Sequence, residues 1–194
     1  QQLINYPLLL DELLDARVMD QRFDSAHLSE QILACLGQHA DDIELALLAL
    51  NEFKISYTFK IAYHFIFQQL PATMASKLLT LLAEQILCQC TQLAEKQLAL
   101  QHGTIFGSSF AVLGYGSLGA STLAFNSDLD LVFLNQVDDQ LISNGLRPLD
   151  SPRFFLRQAQ KLISLLGLST SSGSLYEVDI RLRPDGAKGL LVSS

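Results

Sequence analysis

The chain has 194 residues, enough for one large domain or two small ones, and its 20 acidic residues against 13 Lys and Arg give a formal net charge of −7. This acidic balance argues against a nucleic-acid polymerase, which needs basic surface to replace the counterions of phosphates. The 3 cysteines are too few for a disulfide framework, and no uninterrupted apolar span is long enough for a membrane helix. The composition therefore predicts a protein of a reducing compartment that binds neither nucleic acid nor membrane.

The first half of the chain carries helical patterns only. Proline suits the first position of a helix, and an aspartate side chain can cap free N–H groups, so these residues mark where the helices begin. Leucines at helical spacing predict that the last two helices pack together as an antiparallel hairpin. Four helices are predicted, over about 7–16, 24–38, 42–70 and 73–101, with Gly103 as the hinge into the second half.

The second half mixes strands with a helix. Strands are predicted over 104–113, 128–134 and 175–184, and a helix over 152–166. The polar loop between the second strand and this helix carries no predicted chemistry. We therefore predict an α+β fold with two domains, a helical subdomain over 1–102 and a core with a small mixed sheet over 103–194.

Two aspartates stand at the start of the strand predicted over 128–134. A strand sends alternate side chains to opposite faces, so Asp128 and Asp130 share one face and the leucines take the other. Two carboxylates about 5 Å apart at an effective dielectric of about 20 repel each other by roughly 3 kcal/mol. A folded protein keeps such a pair only where a proton, an arginine or a cation neutralises it. The alternative is a solvated pair that protects an edge strand, which the apolar continuation over 131–134 disfavours.

A second alternation of charged and apolar residues occurs in the strand predicted over 175–184. It places four charged residues on one face: Glu177, Asp179, Arg181 and Arg183. Carboxylate oxygens suit Mg²⁺, which is usually held by one or two carboxylates plus substrate phosphates. Two such ions can clamp the attacking and leaving oxygens of a nucleotidyl transfer. The sequence therefore predicts a divalent-metal site formed by Asp128, Asp130 and Asp179.

A glycine-rich turn follows the apolar run 110–113, with glycine at 114, 116 and 119. The pattern also matches the dinucleotide-binding fingerprint, which requires a full helix after the glycines and an acidic residue further on. Too few residues precede the next strand for such a helix, so the spacing disfavours this alternative. We instead predict that Gly116 and Ser117 form a tight turn whose backbone N–H groups and hydroxyl hold a triphosphate.

Together these motifs resemble the polymerase-β-type nucleotidyltransferase superfamily and, more closely, the glutamine synthetase adenylyltransferase (glutamate–ammonia-ligase adenylyltransferase) family. The resemblance spans nearly the whole chain, through residues 6–15, 114–116, 127–131, 170–173 and 176–184, of which the last segment is the most specific. Two positions depart from the family: Ser117 stands where a lysine is usual, and Ala120 where glycine is common. The serine restores the Gly-Ser pair of the wider superfamily.

The resemblance implies a polymerase-β-like nucleotidyltransferase core behind the helical subdomain. It implies that ATP, as substrate, donates AMP to a tyrosine hydroxyl of glutamine synthetase while pyrophosphate leaves. Asp128, Asp130 and Asp179 would be the catalytic residues that hold Mg²⁺, and Asp179 would also help to deprotonate the hydroxyl. The implied nucleotide-binding residues are Gly116, Ser117, Arg181 and Arg183. For the two arginines, a structural ion pair with Glu177 or Asp179 remains an equal alternative.

Members of this family carry two such units, one that attaches AMP and one that removes it. The segment 6–15 and the Ser-Ser-Gly before Tyr176 resemble the second, adenylylating unit. Two alternatives stay open, namely the AMP-removing unit with the same carboxylates and a regulatory module that only binds a nucleotide or a signalling protein. The expected setting is cytoplasmic, with glutamine synthetase as the protein substrate and the PII signalling protein acting through the full-length enzyme.

Overall fold

The computed structural model describes residues 23, 25–37, 39, 42–137, 140–182 and 189–193. The helices of this part are α1 (Ser25–Gly37), α2 (Ile43–Phe67), α3 (Ala72–His102), α4 (Gly116–Gly119) and α5 (Ser151–Gly167). The strands are β1 (Ser109–Gly114), β2 (Leu129–Gln136), β3 (Val178–Asp179) and β4 (Val192–Ser193). The helix predicted over 7–16 lies outside the described residues.

The helix ends follow local capping signals. Asp42 caps α2, because its carboxylate accepts hydrogen bonds from two backbone N–H groups of the first turn at 3.0 and 3.1 Å. Asp150 caps α5 in the same way at 2.9 Å. Pro71 precedes α3, and Gly103 ends it with a φ of +68°. The predicted bounds of α1, α2, α3 and α5 are confirmed to within three residues.

β2 is the central strand of a mixed sheet in the described part of the chain. β1 pairs with it in antiparallel register along one edge, with Gly114 opposite Leu131. β3 and β4 both run parallel to β2 along its other edge, β3 beside its first residues and β4 beside its middle. Helices followed by a small mixed sheet confirm the predicted α+β fold.

One hydrophobic cluster joins the helices to the sheet. Its fully buried members come from α1, α2, α3, β2 and α5 and include Ile32, Leu47, Leu82, Leu129, Phe133 and Leu162. The first half therefore packs directly on the second. Every described element up to residue 102 is helical, as predicted. None of the helices described is both long and apolar enough to cross a membrane.

The first strand is shorter than predicted, because β1 begins at Ser109 rather than near residue 104. Phe106 is 97 % exposed and Gly107 has a φ of +76°, so the chain turns before the strand starts. The hydroxyl of Ser108 donates to the carbonyl of Ile105 at 2.7 Å and closes this turn. The strand prediction for 104–108 is therefore wrong.

Among the described residues 175–182, the strand prediction for 175–184 is also wrong outside the two residues of β3. Arg181 and Leu182 lie in a turn, and the backbone N–H of Arg181 donates to Oδ1 of Asp179 at 2.8 Å. Such a local bond from an aspartate side chain competes with the sheet ladder. The predicted common strand face therefore ends at Asp179, and Arg183 lies outside the described residues.

Candidate functional site

The turn between β1 and β2 brings the backbone against a carboxylate. Gly116 has a φ of +54°, a conformation that favours glycine. A Cβ atom at this position would lie 2.1 Å from Oδ2 of Asp130. The backbone N–H of Tyr115 donates to the carbonyl of Asp130 at 2.9 Å. Only glycine satisfies both constraints, so the Asp130 carboxylate lies directly against this turn.

The other two glycines allow the turn to close. A Cβ atom on Gly119 would lie 2.5 Å from the carbonyl oxygen of Gly114, and one on Gly114 would lie 2.7 Å from the side chain of Leu118. Leu118 is buried and anchors the four-residue helix α4. Ser117 is half-buried in α4, and its carbonyl accepts a hydrogen bond from the N–H of Thr122 at 2.9 Å. The turn is as tight as its glycine spacing predicts.

The geometry around this turn excludes the dinucleotide-binding alternative. β1 and β2 run antiparallel, and α4 has four residues. The dinucleotide-binding unit needs parallel strands joined by a full helix, with the pyrophosphate at that helix's start. The spacing argument against it is therefore confirmed.

β2 and β3 bring two of the predicted aspartates together. Asp130 and Asp179 are directly opposite in the parallel register of the two strands. Residues paired in this way project from the same face of a sheet. Asp128 lies two residues before Asp130 and is exposed, whereas Leu129 and Leu131 are fully buried. The period of two predicted for this segment is therefore observed along β2.

Arg181 is the cation that faces these acids. Its Nε donates to Oδ1 and Oδ2 of Asp179 at 3.0 and 2.8 Å, and its Nη2 forms a salt bridge with Oδ2. These hydrogen bonds lower the pKa of Asp179 and raise the pKa of Arg181. The charges of Asp128 and Asp130 raise the Arg181 pKa further. Of the two roles considered for Arg181, the ion pair with Asp179 is the one this structure contains.

The carboxylates of Asp128 and Asp130 are available to a further ligand. Within the described residues neither forms a salt bridge. As those residues are placed, no group of three or more His, Cys, Asp or Glu side chains could hold a metal ion, and Arg181 engages the oxygens of Asp179. The Arg181 side chain is 83 % exposed and can move away. Carboxylate oxygens are what Mg²⁺ prefers, so the donor set fits this ion once Asp179 is released.

A cavity of about 480 Å³ lies beside Asp128, with Tyr176 and Glu177 in its wall. This volume is in the range of small-molecule sites. Lys54 of α2 also lines the cavity, although the sequence did not predict it as a site residue. A lysine inside an otherwise buried helical stripe is the signal that would have identified it; the stripe includes Leu47, Leu50 and Ile61.

The chain belongs to the glutamate-ammonia ligase adenylyltransferase family, whose model matches residues 1–194. This confirms the family that the motifs resemble. Similar proteins are named bifunctional glutamine synthetase adenylyltransferase/adenylyl-removing enzyme. That of Xanthomonas campestris pv. campestris (strain B100) is 45 % identical over 195 residues, and that of Xanthomonas axonopodis pv. citri (strain 306) is 46 % identical over 198 residues. The protein of Pseudomonas putida is 41 % identical over 206 residues.

These alignments cover 100 % of the chain but only 20 to 21 % of each relative. The chain therefore spans about a fifth of the length of the curated relatives that it matches. The names of those relatives combine two opposite activities in one protein. What this part of the sequence does must accordingly be argued from its own residues.

Proposed function

We propose that this chain is a catalytic unit that transfers AMP from ATP to a tyrosine hydroxyl of glutamine synthetase and so regulates nitrogen assimilation. The observation that carries the proposal is the contact of the Asp130 carboxylate with the Gly116 turn, directly opposite Asp179 in the next strand. Membership of the adenylyltransferase family supports the reaction class. Under this proposal residues 1–102 form a helical subdomain and residues 103–194 form the catalytic core.

In the proposed site, Asp128, Asp130 and Asp179 hold Mg²⁺. The ion would neutralise charge on the donor phosphates and lower the pKa of the acceptor hydroxyl. Gly116 and Ser117 contact the donor phosphates through the backbone and hydroxyl of the turn. A tyrosine hydroxyl has an ordinary pKa of about 10, so transfer near neutral pH needs a base, and Asp179 takes this proton.

Arg181 has two successive partners in this scheme. Without substrate it pairs with Asp179, as the structure shows. When the triphosphate enters, the exposed guanidinium exchanges the carboxylate for a phosphate oxygen, a geometry that suits arginine. This exchange releases Asp179 for the metal and the acceptor. Arg183 is the second arginine predicted to bind the nucleotide, and its proposed partner is also a phosphate of the donor.

The direction of the reaction is proposed from the segment 6–15 and from the Ser-Ser-Gly at 171–173, which resemble the adenylylating unit. The names of the relatives also include adenylyl removal, which makes the reverse reaction the second candidate. Removal by phosphorolysis needs a pocket for inorganic phosphate, for which Arg181, Arg183 and Lys188 are the nearby basic residues. We also propose a cytoplasmic setting and regulation by the PII signalling protein through the longer protein.

The test is incubation of a family-length protein containing this chain with glutamine synthetase, labelled ATP and Mg²⁺. Incorporation of AMP that is lost in Asp128→Asn supports the proposal. Loss in Asp128→Asn of ADP release from adenylylated glutamine synthetase and phosphate, with forward transfer retained, would reassign the chain to the removing unit. Retention of both reactions in Asp128→Asn would leave a regulatory module that binds nucleotide.

A further inference from the structure

Two polar side chains of α2 reach across to the α/β half of the molecule. Asn51 is 1 % exposed, and its Nδ2 donates to the hydroxyl of Thr170 at 3.2 Å. One turn later, Nζ of Lys54 donates to the carbonyl of Leu175 and lies 4.4 Å from the centroid of the Tyr176 ring. α2 therefore contacts both ends of the segment 170–176, more than 100 residues away in the sequence.

The segment 170–176 is itself closed by hydrogen bonds. The backbone groups of Thr170 and Gly173 bond to each other in both directions, at 2.8 and 3.0 Å. The Thr170 hydroxyl donates to the Gly173 carbonyl at 2.7 Å and accepts from the N–H of Ser172 at 3.2 Å. At the other end, the N–H of Tyr176 donates to the carbonyl of Leu166 in α5 at 3.0 Å. A displacement of Thr170 would therefore move the turn over 170–173, whereas the Tyr176 end is held by both α2 and α5.

This segment leads directly into the strand that carries Asp179. The carbonyl of Glu177 accepts a hydrogen bond from the N–H of Leu129 at 2.9 Å, and Asp179 follows two residues later. Within the part of the chain that the structure describes, β3 pairs through two residues and along one edge. So short a strand holds its position weakly by itself. Val178 and Ile180 are only partly buried against the core, so the contacts that precede β3, including those of α2, add to what holds Asp179 in place.

The contacts that Asn51 and Lys54 make from α2 stabilise the fold less than apolar packing at the same positions could. Among the described residues, Oδ1 of Asn51 is buried without a hydrogen-bond partner, and burial lowers the pKa of Lys54. Buried polar groups that are incompletely paired cost folding free energy, and apolar side chains of similar volume often replace them without loss. A polar contact at this place therefore calls for an explanation beyond packing.

We infer that Asn51 and Lys54 are positioning residues, which hold segment 170–176 so that Asp179 lies opposite Asp130. The inference rests on the proposed function, because it takes Asp179 as part of the metal site. It couples the helical half of the molecule to the carboxylate that β3 presents. A shift of α2 relative to the sheet would then change metal binding without touching a metal ligand.

The test compares Lys54→Met, Lys54→Arg and Asn51→Leu with the wild-type sequence in a family-length protein, with Lys77→Met as the matched control on an exposed lysine of α3. AMP transfer is measured against Mg²⁺ concentration, and amide hydrogen exchange is followed over 170–179. Loss of residues that orient metal ligands typically lowers activity or metal affinity by about 10- to 100-fold. We expect that loss, with faster exchange over 170–179, in Lys54→Met and Asn51→Leu. Lys54→Arg should retain most activity, since arginine can also donate to a carbonyl and stack on a ring.

The inference would be overturned if Lys54→Met lowers the melting temperature but leaves AMP transfer and its Mg²⁺ dependence at the wild-type level. If Lys54→Met does not fold, Asn51→Leu decides, because leucine replaces the buried amide by an apolar group of similar size. Failure of both to fold would show a structural role and overturn it as well. Asp130→Asn in the same assay separates the two proposals. Transfer that survives Asp130→Asn refutes the proposed function, whereas transfer lost there but unchanged in Lys54→Met refutes only the positioning role.

Discussion

The two strands that carry the acidic residues are held in very different ways. β2 has eight residues, is paired along both edges, and inserts Leu129 and Leu131 into the core without exposure. β3 has two residues and is paired along one edge. The position of Asp130 is therefore a property of the hydrophobic core. The position of Asp179 is less firmly fixed, because Val178 and Ile180 beside it are only partly buried against that core. Arg181 and the segment held by α2 supply further contacts.

This difference separates a rigid part of the site from an adjustable part. Asp130 belongs to the buried strand β2, and its carboxylate lies against the Gly116 turn, where it has little room to move. Asp179 is engaged by an arginine whose side chain is mostly exposed. Under the proposed function the site admits a nucleotide and a protein acceptor, and one carboxylate that can change partner would serve both. The following substitutions test the two parts separately.

The largest effect is expected in the rigid part. Asp130→Asn or Asp128→Asn should lower AMP transfer by about a thousandfold, equivalent to roughly 4 kcal/mol of transition-state stabilisation. Stability in metal-free buffer should stay equal or rise, because the neutral amide removes a repulsion. Radiolabel incorporation and thermal denaturation measure the two quantities. Asp42→Asn is the matched control, since asparagine caps a helix as well as aspartate does. Unfolding of either variant would contradict a metal-binding role and indicate a structural one.

Gly116→Ala should affect both activity and stability. A Cβ atom there would displace the Asp130 carboxylate, and misplacement of about 1 Å can cost roughly a hundredfold in rate. Forcing alanine into a left-handed conformation should also destabilise the fold by about 1–2 kcal/mol. Urea denaturation and AMP transfer check both effects. Gly37→Ala is the control, since a Cβ atom at Gly37 meets open space. Wild-type behaviour of Gly116→Ala would mean that the turn relaxes and that Asp130 is not confined.

The smallest effect is expected in the adjustable part. Arg181→Gln removes the guanidinium hydrogen bonds, the largest cause of the lowered pKa of Asp179, so this pKa should rise toward its ordinary value although the backbone N–H bond remains. A lowered pKa stabilises the fold above the unfolded value of about 3.9, and that stability is lost as the pH falls through the folded pKa. The variant should therefore lose less stability than wild type on acidification below about pH 4.

Carbon-13 NMR titration of the Asp179 carboxyl in metal-free protein checks this shift. Arg153→Gln is a suitable control, because Arg153 pairs with Asp150 at 3.4 Å and has no contact with the site among the described residues. An unchanged Asp179 pKa in Arg181→Gln would show that the ion pair does not persist in solution. The adjustable part would then be free of its arginine even without substrate.

The sequence was sufficient for features whose signals are local. Asp42 marks the start of α2, Pro71 separates α2 from α3, and the alternation over 128–131 sets which of these residues are buried. The same alternation failed for β3, because the Asp179 side chain bonds to the N–H of Arg181 and ends the strand. Alternation of polar and apolar residues indicates which side chains would share a face if the segment formed a strand. It does not indicate whether a neighbouring strand is there to pair with it.

Contacts between distant segments could not be predicted from the sequence. Nothing near Lys54 indicates that its amine meets the carbonyl of Leu175, 121 residues later. The glycine spacing indicated a tight turn, yet the contact of Gly116 with Asp130 depends on the antiparallel pairing of β1 with β2. The sequence therefore indicated candidate residues for the site, whereas the contacts that orient them follow from tertiary packing.

The central position of β2 determines whether a molecule with a shifted strand register can remain folded. A slip of one residue in its register would turn the leucines toward the cleft and bury Asp128 and Asp130 in the core. Burial of unpaired carboxylates costs more than the few kcal/mol by which domains are stable. Molecules with β2 in the shifted register would therefore unfold, and they would not accumulate as a folded but inactive form. In a folded molecule, Asp128 and Asp130 therefore lie on the face of β2 that points away from the core.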